Sequence, residues 1–150
     1  MFTNDIQTKL INFVNNIEPT IDLTFESFGG FYVDIDNLTI NISLDTNEKE
    51  DEMFYNFVRK TFDFDDFDIF VLSILHEIGH IMTYEPNTLH ERDMMYLILQ
   101  MAYEDGESLQ DYNEAYFNLP AEKLATEWAV GYYRYNRAEC DELSKQIWVK

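Results

Sequence analysis

Basic residues are scarce in this chain: ten Lys and Arg stand against 29 Asp and Glu, a formal charge of −19. A surface that negative repels phosphate, which argues against direct contact with DNA, RNA or anionic lipid and favours a basic partner or plain solubility. There is one cysteine, Cys140. It excludes an internal disulfide framework and a cysteine-rich zinc module, and it fits a reducing compartment. Five glycines and three prolines in 150 residues are too few for a linker-rich or low-complexity chain. No uninterrupted apolar run approaches membrane-spanning length, and Met1 to Asp5 offer neither a basic nor an apolar segment of the kind that directs secretion. The expectation is a soluble, cytoplasmic protein with no membrane role.

What the chain does have is apolar mass. With 46% hydrophobic and 16% aromatic residues it is set apart from disordered acidic segments. Residues 1–150 suit one domain, and a chain of this length buries roughly 68–70% of the surface it exposes when unfolded, enough for one core with a cleft.

Apolar spacing predicts a helix over residues 3–17, carried by Ile6, Leu10, Phe13, Val14 and Ile17 and stopped by Glu18-Pro19. Three stretches of period-two alternation follow: Ile21, Leu23, Phe25; then Phe31, Val33, Ile35; then Leu38, Ile40, Ile42, Leu44. Gly29-Gly30 separates the first two and Asp36-Asn37 suits a two-residue hairpin, so the expectation is a short antiparallel sheet of about three strands. From Asn47 the period becomes helical, with further runs over about 66–84 and 88–101, and a last long helix from Leu119-Pro120 to about Glu139 followed by a short tail. The order reads as α+β, a small sheet packed with four or five helices.

One motif carries chemistry. His76-Glu77-Ile78-Gly79-His80 is an H-E-x-x-H sequence inside a predicted helix, and it takes up two of the chain's three histidines. Residues four apart on a helix differ by about 40° in direction, so both imidazoles can meet one ion. Glu77, about 100° further round, sits beside that ion and is the candidate general base. The rival reading is a pair of buried core histidines. Glycine costs about 1 kcal/mol in a helix relative to Ala, so Gly79 between the two ligands suggests that another backbone comes close there.

A tetrahedral zinc site with one open position needs a third protein ligand. Glu122, Glu127 and His90 compete for the role. Glu122 and Glu127 point about 140° apart on one helix, so they cannot both face the metal. Glu127 shares a stripe with Lys123 and Arg134, which suits a solvent face, whereas Glu122 shares its face with Thr126, Ala129 and Tyr133. Glu122 is preferred. Tyr133 is expected in the core, Tyr84 at the cleft or at a helix cap, and Cys140 in the tail without chemistry.

HEIGH, followed on a later helix by Glu122-Lys123-Leu124-Ala125-Thr126, resembles the gluzincin pattern, in which a helical Glu completes the zinc site. More narrowly, residues 20–139 are similar to the ImmA/IrrE-type metallopeptidases, where a short sheet precedes the motif helix and a Glu-x-x-Ala-Asn segment follows. The resemblance implies a zincin-like fold and a zinc metallopeptidase acting on an intracellular protein, with His76, His80 and Glu122 on one Zn2+ and Glu77 as base. Thr126 stands where that family usually shows Asn or Asp, the residue that hydrogen-bonds a zinc-binding histidine.

A second class also suits the composition: a non-catalytic acidic binding protein, an inhibitor or DNA mimic, with a structural or vestigial metal. Glu77 separates the two, because a structural site has no use for a carboxylate beside an open coordination position. Asp45 to Asp68 holds nine acids against three bases and Glu104 to Glu114 five against none. These runs are solvated faces, or else they steer basic peptides toward the motif.

Overall fold

The computed structural model describes residues 3–26, 30–43, 48–84 and 116–148. The expected helix over 88–101, His90 and the acidic run at 104–114 lie outside the described residues. Within them the chain forms α1 (Asn4–Ile17), β1 (Asp22–Glu26), β2 (Tyr32–Asp34), β3 (Thr39–Ser43), α2 (Glu48–Phe62), α3 (Ile69–Met82), α4 (Pro120–Tyr135) and α5 (Arg137–Ile147). The class is α+β.

Helix α3 is the centre of the molecule. Phe70, Val71, Leu72, Ile74, Leu75 and Ile78 are all buried, so the helix is apolar nearly all round and has to be covered on every side. Helix α4 covers one side, and the sheet reaches it through β2 and an edge-on contact of Phe31 with Phe70 at 5.5 Å between ring centroids. Helices α1 and α5 pack on each other beyond it.

Asp68 starts α3. Its Oδ1 accepts from the Val71 N–H at 3.0 Å, satisfying one of the donors that a helix start leaves open. Its Oδ2 accepts from Ser144 Oγ at 2.8 Å and Trp148 Nε1 at 2.7 Å, while its own N–H donates to the Tyr133 hydroxyl at 3.0 Å. The far end of the chain thereby grips the start of the central helix.

Three expectations need correction. The sheet is mixed rather than antiparallel: its order is β1-β3-β2, with β3 antiparallel to β2 but parallel to β1. The reason is that β3 is buried on both faces, Ile40 and Ile42 on one and Asn41 and Ser43 on the other, so it takes the middle position. Asn41 survives burial because it is paired, its Oδ1 accepting from Thr24 Oγ1 at 2.8 Å and its Nδ2 donating to the Gly30 carbonyl at 3.0 Å. The hairpin after β2 is where the sequence places it, but four residues separate the last pair, Asp34 and Thr39. Asn37 donates to both carboxylate oxygens of Asp34, and those bonds lower the Asp34 pKa.

The third correction concerns the C-terminal part. The helix from Pro120 stops at Tyr135: Asn136 leaves helical backbone angles, with φ −120° and ψ 40°, and caps the end by donating both its backbone N–H and its side-chain amide to the Tyr132 carbonyl, at 2.8 and 3.2 Å. What was expected as a tail is α5. Cys140 lies on its inner face, fully buried, and burial pushes its thiol up to about 12. Among the described residues no helix is long and apolar enough to cross a membrane.

Candidate metal centre

The pairing of α3 with α4 builds the site, and Gly79 sets how close the two helices come. A Cβ at that position would run into the Ala125 carbonyl oxygen and lie 3.0 Å from the Ala125 carbonyl carbon and Cα. The close approach expected at Gly79 is therefore a helix backbone, and it brings the inner face of α4 directly over the histidines.

His76 Nε2 and His80 Nε2 both point at Glu122 Oε2, at 2.8 and 3.1 Å. Together His76, His80 and Glu122 offer three ligand atoms within 4.8 Å of one another. The edge of a tetrahedron at zinc-ligand distances is roughly 3.4 Å, so the group fits one small cation with minor side-chain adjustment. The side chains are 11%, 14% and 12% exposed in that order, which leaves the point shielded but not sealed.

Thr126 decides which nitrogen of His76 is presented. Its hydroxyl donates to the Glu122 carbonyl at 2.9 Å, so toward His76 Nδ1, also at 2.9 Å, it accepts. Nδ1 therefore carries a proton and Nε2 is the nitrogen that faces the shared point: it donates to Glu122 Oε2 at 2.8 Å when the ring is charged and offers its lone pair there when the ring is neutral. This is the tautomer a divalent ion requires, and the donor chemistry of the group fits one. The Phe54 ring meets His76 edge-on at 5.4 Å and holds it from the other side.

Burial alone would raise the Glu122 carboxyl, but hydrogen bonds to His76 and His80 and the positive charge of those rings together outweigh it. They hold the group well below the usual carboxylate range. Burial also pushes the Glu77 carboxyl up; charge on His76 and His80 opposes the rise and Glu122 adds to it. Glu77 follows His76 directly on α3 and is not one of the three residues that converge.

Of the rivals for third ligand, Glu127 is exposed and His90 lies outside the described residues. Tyr133 is in the core as expected. Tyr84 lies beyond the end of α3, exposed. Two contributors were invisible to sequence reasoning. Phe54 comes from α2, and Tyr116, just ahead of α4, donates its hydroxyl to Glu122 Oε1 at 2.8 Å. Neither stands at a spacing that ties it to the motif; only the packed fold brings them there. No family model matches this chain, and no curated protein or solved structure does.

Proposed function

We propose that the chain is a zinc-dependent metallopeptidase, with His76, His80 and Glu122 as ligands of one Zn2+ and Glu77 as general base. One observation carries the reading: two imidazole nitrogens and a carboxylate oxygen converge at one shielded point, with the Glu77 carboxyl next to His76 on the same helix. Two nitrogens and one oxygen form a set that zinc accepts with a fourth position open. Held by His76, His80 and Glu122, zinc would supply polarisation of a scissile carbonyl and a lowered pKa for water at the site. The Glu77 carboxylate takes a proton from the attacking water and delivers it to the amine nitrogen as the C–N bond breaks. Thr126 keeps the His76 ring in register throughout. The resemblance to gluzincins of the ImmA/IrrE type supports a protein substrate inside the cell, and the −19 charge supports a basic segment of it.

Glu77→Gln tests this. The change keeps shape and removes the basic lone pair, so metal content by elemental analysis should stay at wild-type stoichiometry while hydrolysis of a mixed-sequence peptide pool falls about 10²- to 10⁴-fold. Unchanged hydrolysis would assign the proton transfer to another group. Loss of metal would make Glu77 a ligand. A wild-type protein that holds metal and cleaves nothing in the pool would be the acidic binder instead.

A further inference from the structure

We infer that Tyr116 is a positioning residue that restricts Glu122 to ligation through one oxygen and so leaves the open coordination position to water and substrate. The inference rests on the metal reading above. It follows from the unequal surroundings of the two Glu122 oxygens. Oε2 faces His76 Nε2 and His80 Nε2, whereas Oε1 is turned away and accepts from the Tyr116 hydroxyl at 2.8 Å. A carboxylate can bind a cation through one oxygen or through both. A second oxygen on the ion would occupy the position that hydrolysis needs. A hydrogen bond to a charged carboxylate is roughly twice as strong as one between neutral groups, so it competes well for Oε1.

The phenol is itself held. Tyr116 meets Phe117 edge-on at 5.7 Å, and Phe117 stacks on Phe57 at 5.2 Å and lies 5.5 Å from Phe54. Phe54 is the ring that touches His76. One aromatic wall therefore orients a histidine at one end and the outer oxygen of the glutamate at the other. Its hydroxyl meets a ligand rather than the reacting atoms, so its role is positioning.

The test compares wild type with Tyr116→Phe and, should that variant fold poorly, with Tyr116→Leu, which also lacks the hydroxyl. Zinc has no d–d spectrum, so Co2+ is the optical probe, and X-ray absorption is recorded on the zinc-loaded proteins. Wild type should give the intense visible bands of a four-coordinate ion. The variants should give weaker bands at higher energy and one additional oxygen in the first coordination sphere of zinc. Spectra identical to wild type would overturn the role of Tyr116, as would loss of metal from both variants, which would mean that Tyr116 holds Glu122 in place rather than limiting it. Wild type that takes up neither ion overturns the metal reading itself, a separate failure.

Discussion

Thr126 has a single hydroxyl proton, and its direction toward the Glu122 carbonyl determines what His76 can do. Thr126→Val keeps the branched shape and deletes the acceptor, leaving a buried Nδ1–H unpaired at a penalty of about 1–3 kcal/mol. Loss of such a partner typically weakens metal binding about 10- to 100-fold, and we expect that loss for Val but not for Ser, read by competition with a chromophoric chelator. Equal affinity in Val and wild type would remove Thr126 from the site. At this scale the sequence was informative wherever the helical period applied. The i, i+4 histidines and the face shared by Glu122 and Thr126 are both visible in the order of residues. Tyr116 and Phe54 were not, because their neighbourhood is made by three separate segments, and Cys140 was not, because an isolated small residue carries no period.

Between elements, the fit of α3 against α4 turns on one missing side chain. Gly79→Ala gains about 1 kcal/mol of helix propensity but drives a Cβ into backbone that cannot step aside; overpacking of this kind costs about 1–3 kcal/mol or more. Gly131 on α4 is the control, since a Cβ there has nothing within 4 Å. Gly131→Ala should stabilise by about 0.4–1 kcal/mol through the unfolded chain. Calorimetry on the metal-free proteins should show Tm moving in opposite directions, down for Gly79→Ala and up for Gly131→Ala, by about 2–4 °C per kcal/mol. A rise in both would mean that the helices have room to part. Among the described residues the order from α1 to α4 was legible from periodicity, but α5 and the pairing of strands were not. Asn41 sits at a position that period two assigns to solvent, and only its bonds to Thr24 and Gly30 let it be buried in a central strand. Asn136 likewise reads as one more helical residue until its backbone is seen to leave the helical region and its side-chain amide to join the cap at the Tyr132 carbonyl.

For the molecule as a whole, charge is the dominant fact. A field from 19 excess negative charges attracts cationic ligands over a range set by ionic strength, about 10 Å at 0.1 M salt. Binding or cleavage of a basic peptide should therefore exceed that of an acidic peptide of equal length, and the difference should shrink as salt is raised from low to moderate. No preference at either salt would leave the acidity as an aid to solubility alone.

Asp68 adds a constraint of timing. The carboxylate that caps α3 draws its Oδ2 partners from Ser144 and Trp148, 76 and 80 residues further along, while Glu122 is 46 residues beyond His76. On a ribosome, the histidines emerge long before the groups that fix them. A nascent chain exposes two imidazoles before Glu122 can meet them, and the cap of their helix lacks its Oδ2 partners until residues 144–148 follow. Convergence of the triad is in this way a late event in the life of the chain, dependent on the arrival of α4 rather than on the motif alone.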